Sequence, residues 1–285
     1  MITVTGGIIL SIIGITLVVC LGLRLSYEPE EEILEIYNLA YSQTTGSKEI
    51  QADCVQFHQN AAGILAVIAD GIGKENTGKV AAQIAADTVV DAFCSYHILN
   101  NPNYFFRTTF LEAHSRIQRT LGERRGGACM GVVFTDGKQL FYGLAGNVQI
   151  ALFRNGELIP ISKGQTLNVL AKEAYKDGLL SKKETIWSMA ETRVWNYLGK
   201  DGFQEIEIPS LSISLKKQDI VFLASRGLWE ELSLVQIEDI LLGNQTLQEK
   251  AEQLIRSVDT KESQEKENGS VILFMPEVID EKNQF

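Results

Sequence analysis

The spacing of apolar and polar positions changes along the chain and marks where strands give way to helices. Residues 54–58 and 63–69 read as two strands, the second an apolar run of the kind buried on both faces. Residues 77–93 and 105–121 instead carry apolar side chains at helical spacing, which predicts two helices packed on a sheet. Three strand-like runs follow at 128–134, 140–144 and 148–153. Thr135-Asp136-Gly137-Lys138 and Arg154-Asn155-Gly156-Glu157 supply turn residues, so adjacent hairpins and an antiparallel meander are expected. Residues 167–175, 181–189 and 191–198 read as helical, 203–208 and 220–224 as strands, 234–241 and 246–258 as helices, and 270–274 as a closing strand. Residues 30–43 read as a short acidic helix or connector, 259–269 as a polar loop, and 277–285 as a loose tail.

Residues 1–23 carry no charged side chain, and from Ile8 to Leu23 they are nearly continuous hydrocarbon. As a helix this stretch just crosses a bilayer core of about 30 Å. A cleaved signal peptide needs a basic start, whereas the first charge here is Arg24, after the apolar run, followed by Glu28, Glu30, Glu31 and Glu32. A retained single-pass anchor over 1–25 is therefore expected, with Arg24 favouring a cytoplasmic domain. The remaining organisation is expected as a connector at 26–44, one domain at 45–276 and a flexible tail at 277–285.

The 285 residues have 26 Lys plus Arg against 36 Asp plus Glu, a formal charge of −10. With no basic run interleaved with aromatics, a nucleic-acid partner is excluded from the expectations. The four cysteines form no CxxC pair and the three histidines no ligand spacing, which reads as reduced core cysteines. The informative chemistry is acidic. Asp70 follows the run Leu65-Ala-Val-Ile-Ala69 and precedes Gly71 and Gly73, so a carboxylate and a closely approachable backbone carbonyl sit together where a hard divalent ion would bind. A later segment of the same shape, Ile220-Val-Phe-Leu-Ala-Ser-Arg226-Gly227, ends in a cation.

Taken in order, Gln51-Ala52-Asp53, Ala69-Asp70-Gly71-Ile-Gly73-Lys74, Gly126-Gly127-Ala128-Cys129, Gly146-Asn147, Ala224-Ser-Arg226-Gly227 and Glu267-Asn268-Gly269 resemble the motifs of the PP2C/PPM-type metal-dependent protein phosphatase family over residues 45 to 275. The resemblance implies an α+β fold, a PP2C-like four-layer α-β-β-α sandwich of two antiparallel sheets, here preceded by one N-terminal transmembrane helix. It also implies two Mn2+ or Mg2+ ions that activate a bridging water for attack on phosphorus. Carried over residue by residue, Asp53, Asp70, Gly71 and Glu267 form a residual metal site. Lys48, Lys74 and Arg226 are the candidate phosphate-binding cations. Ala52, Asn147 and Arg226 stand where the family has acidic residues, so ligands are lost there.

An arginine stays charged and competes with a divalent ion for Asp70 and Glu267, which predicts a bidentate pair with one of them. Plainer roles are also open: Asp53 as a turn brace, Glu267, Lys48 and Lys74 as solvated charges. The function expected is a membrane-anchored pseudophosphatase that binds a phosphoprotein or other protein partner, with no cofactor. One alternative is a divergent Mn2+- or Mg2+-dependent phosphatase acting on phosphoserine and phosphothreonine. Another is a structural component of a membrane assembly.

Overall fold

The computed structural model describes residues 36–95, 101–262 and 265–279. Two antiparallel five-stranded sheets organise them. One contains, in spatial order, β2 (Cys54–Asn60), β3 (Gly63–Gly73), β4 (Gly126–Thr135), β5 (Gln139–Ala145) and β8 (Ile213–Ser214). The other runs β1 (Ile36–Thr44), β10 (Gly269–Ile279), β9 (Ile220–Ala224), β6 (Gln149–Arg154) and β7 (Glu157–Pro160).

Strand alternation builds the layers. In β3, Leu65, Val67 and Ala69 face a cluster with Phe93, Phe105, Phe106 and Phe110, contributed by helices α1 (Thr77–Ser95) and α2 (Pro102–Leu121). Ile64, Ala66 and Ile68 face the other way and meet Ile150, Leu152, Val221, Leu223, Ile272 and Phe274 of the second sheet. The outer face of that sheet, with Phe222, Ala224, Val271 and Leu273, is covered by α5 (Arg226–Trp229), α6 (Leu234–Leu242) and α7 (Leu247–Asp259). Two further helices, α3 (Leu167–Lys176) and α4 (Lys182–Ser188), stand between β7 and β8 in sequence. Ser181 starts α4 with a reciprocal side-chain cap to Glu184, and Ser233 and Thr246 start α6 and α7 in the same way.

Several expectations need correction. Residues 36–44 are not a connector but β1, paired with β10 along its length, with Ala40 in the outer core and Leu39 packed against the inner one. The domain therefore starts before residue 45, and β10 continues to Ile279, so 277–279 are strand rather than tail. The meander breaks at Gly146-Asn147, because β5 and β6 belong to different sheets. Gly146 has φ 101°, and a Cβ there would lie 2.3 Å from Cys129 Sγ, so only glycine permits the crossover. Residues 191–198 are extended rather than helical: Trp195 N–H donates to Gln165 O, and Leu198 pairs with Ala128. Residues 203–208 contribute Phe203, Ile206 and Ile208 to packing but make one bridge, Leu144 to Glu207. Cys129 is buried, whereas Cys94 is exposed, so the cysteines are not uniformly core residues. Among the described residues no helix is long and apolar enough to cross a membrane, and the anchor expected over 1–25 lies outside them.

Candidate active site

Side-chain parity places the polar groups. Along β3 the residues facing the second sheet are even-numbered, so Asp70 enters the gap between the sheets, three residues before the strand ends. The strand expected to end at residue 69 thus continues through Asp70, which lies opposite Cys129. The β2–β3 register pairs Cys54 with Ala69, and continued by one residue it sets Asp53 beside Asp70. Ser225 follows β9 and Ser270 lies in β10, and the alternation of both strands turns them into the same gap.

Asp53 is buried there, and its Oδ2 accepts from both Ser225 Oγ and Ser270 Oγ at 2.7 Å. Its Oδ1 is buried without a hydrogen-bond partner. Burial, reinforced by the Asp70 charge, pushes the Asp53 carboxyl well above the usual carboxylate range. Desolvation raises Asp70 to about 6, against the opposing pull of the positively charged Arg226 beside it.

Above this pair opens a cleft of about 990 Å³, lined by Lys48, Ala52, Asp70, Gly71, Asn147, Arg226 and Glu267 among others. Gly71 fits because a Cβ there would lie 2.4 Å from the Gly78 carbonyl, where α1 meets the strand. The Arg226 guanidinium sits 3.2 Å from Glu267 Oε1, and Lys48 Nζ lies 3.3 Å from the same oxygen. The pairing with Glu267 is thus one contact, not the bidentate fork expected from sequence. Asn268 ties the surrounding loops: its Oδ1 accepts from Ala52 N–H, and its amide donates to the carbonyls of Thr45 and Ile50.

The structure therefore brings Lys48, Asp70, Gly71, Arg226, Glu267, Ala52 and Asn147 together around one cleft, with Asp53 beneath it. Lys74 is exposed and is not among the lining residues. Its carbonyl instead accepts from the Thr77 hydroxyl at the start of α1. Sequence reasoning missed Ser225, Ser270 and Asn268. Strand parity was the available signal for the two serines; Asn268 stood inside the Glu267-Asn268-Gly269 motif, but nothing there marked its bonds to Ala52, Thr45 and Ile50.

No family model matches the chain. It is 26% identical over 211 residues to the protein phosphatase PhpP of Streptococcus pneumoniae, covering 72% of this chain and 83% of that protein. Its identity to a serine/threonine phosphatase of Listeria monocytogenes is 20% over 69% of this chain and 79% of that one. The Streptococcus agalactiae serine/threonine phosphatase superposes with a TM-score of 0.73 at 20% identity, covering 85% of this chain and all of that one. A phosphatase catalytic domain, PstP, solved with two manganese ions, superposes with a TM-score of 0.64 at 19% identity, covering 84% and 97%. Its homologues and structural neighbours are PP2C/PPM-type serine/threonine phosphatases. The two antiparallel sheets of this chain are the PP2C-like fold.

That fold implies a pair of Mn2+ or Mg2+ ions, and the residues present can be tested against it. The orphaned Asp53 Oδ1 is an oxygen that an ion would satisfy. Yet the other Asp53 oxygen is taken by two serine hydroxyls, and a permanently charged guanidinium faces Asp70 and Glu267. Among the described residues no three carboxylate, histidine or cysteine side chains converge closely enough to hold an ion. The side chains as arranged do not fit a two-metal centre.

Proposed function

We propose that this PP2C-like domain acts on phosphoserine- and phosphothreonine-bearing proteins at the cleft, anchored to a membrane through residues 1–25 with the domain in the cytoplasm. We further propose that it does so mainly by binding, as a pseudophosphatase with weak or absent metal-dependent hydrolysis. The relatives support the substrate class, since those with which the chain shares most of its length are named protein phosphatases. One observation carries the reading of impaired hydrolysis: Arg226, a cation that cannot be neutralised at physiological pH, contacts Glu267 and sets its charge beside Asp70. A divalent ion at these carboxylates would have to displace or tolerate it.

The second reading is a divergent Mn2+- or Mg2+-dependent serine/threonine phosphatase. It is favoured by the names of the relatives and by the lining of the cleft, where five carboxylates outnumber three cations. Titration of the full chain with Mn2+, followed calorimetrically and by phosphate release from a phosphothreonine peptide, separates the two. The first reading expects peptide binding without saturable Mn2+ binding or turnover. Stoichiometric Mn2+ uptake with turnover would establish the second.

A further inference from the structure

We propose that Glu267 is an internal occupant of a phosphate-binding clamp formed by Lys48 and Arg226, and that the clamp accepts a phosphate monoester only when this carboxylate swings away. The inference rests on the phosphoprotein reading above and adds how access to that site is controlled. Two cations from different parts of the chain converge on one oxygen, Glu267 Oε1, at 3.3 Å and 3.2 Å. A carboxylate oxygen shared by an ammonium and a guanidinium occupies the position in which a phosphoryl oxygen would receive both.

The arrangement is built into the main chain on both sides. A Cβ on Gly46 would lie 2.3 Å from the Glu267 carbonyl oxygen, and one on Gly227 would lie 2.2 Å from the Asn268 carbonyl oxygen and 2.9 Å from that of Glu267. Gly46 is two residues from Lys48 and Gly227 is next to Arg226, so each cation is carried by the segment whose glycine lets it close on the Glu267 backbone. Ser47 and Lys266 fix the first contact further, through Ser47 N–H to Lys266 O and Lys266 N–H to Ser47 Oγ. The backbone of residue 267 is thereby held, while its side chain and that of Lys48 remain partly exposed. A carboxylate on a fixed base, with solvent on one side, can rotate out of the clamp without moving the loops.

Charge explains why the clamp would be closed at rest. The lining already carries more carboxylates than cations, and a phosphate dianion entering beside Glu267 and Asp70 meets two like charges. With Glu267 rotated into solvent, Lys48 and Arg226 face the phosphate with one fewer competitor. Arg226 then supplies a planar fork to a tetrahedral oxyanion and Lys48 a point charge.

The test is calorimetric titration of the full chain with inorganic phosphate in EDTA-containing buffer, comparing wild type, E267Q and E267Q/K48M. E267Q is expected to bind phosphate at least about tenfold more tightly than wild type, and K48M to abolish that gain. Glu267→Ala serves as a second opening variant if the glutamine disturbs the loop, with thermal melts confirming that each protein is folded. Equal, measurable affinity in wild type and E267Q overturns the latch while leaving phosphate recognition in place. No phosphate binding by any variant overturns both the latch and the phosphate recognition beneath it. A gain as large for chloride as for phosphate overturns the assignment to a phosphate monoester.

Discussion

Asp53 and Asp70 are carboxyls in a site that disfavours their charge, and this has a measurable sign. Burial raises both above their unfolded values, Asp70 to about 6. Between the ordinary carboxylate range near 4 and these raised values, the native protein holds protons that the unfolded chain has released. Their contribution to stability is therefore complete at low pH and is lost as pH rises through the folded values. Asp70→Asn mimics the neutral form. Relative to wild type it should gain stability progressively from about pH 4.5 to 7.5, on the order of a few kcal/mol by the linkage relation. Thermal melts of the two proteins across that range check this, and a gap that narrows with pH would show that Arg226 outweighs desolvation. Gly71 makes a second prediction of this size. Its hypothetical Cβ would meet the backbone of Gly78 and Ala52, so Gly71→Ala should cost about 1–3 kcal/mol in denaturant unfolding, as overpacking does.

Among the elements, β1 has the clearest consequence. It forms the edge of the second sheet, and all nine of its residues have β10 partners. A chain beginning at Ile36 should melt cooperatively, whereas one beginning at Thr45 should lose the β10 partner and the Ala40 contact and fail to fold; circular dichroism separates them. That strand also shows where the sequence was legible. Runs with strong periodicity, such as β3, β4, α1 and α7, were readable because burial imposes the pattern directly. β1 was obscured by the acidic stretch before it. The extended path of 191–198 was unreadable because its backbone partners, Gln165 and Ala128, lie far away in sequence. At the site, Asp53, Asp70, Arg226 and Glu267 could be placed by motif order. Their actual pairing, one oxygen of Glu267 between two cations and Asp53 on two serines, depended on a convergence of loops that no local pattern encodes.

For the molecule as a whole, the site lies at one end of the sheet gap, where segments from residues 45–53, 70–73, 225–227 and 266–270 meet. In a metal enzyme, ions would tie such segments together; here hydrogen bonds and ion pairs among protein groups do so. The melting temperature of the full chain should accordingly be unchanged by EDTA or by millimolar Mn2+. An increase with Mn2+ would instead show an ion bound to the native state. The glycines at 46 and 227 extend this thought. They locate residue 267 through backbone contact alone, so the shape of the pocket does not depend on which side chain projects from it. Electrical character and geometry are consequently separable in this cleft, and its polarity can be rewritten at the tips of a few side chains while the mould that holds them stays the same.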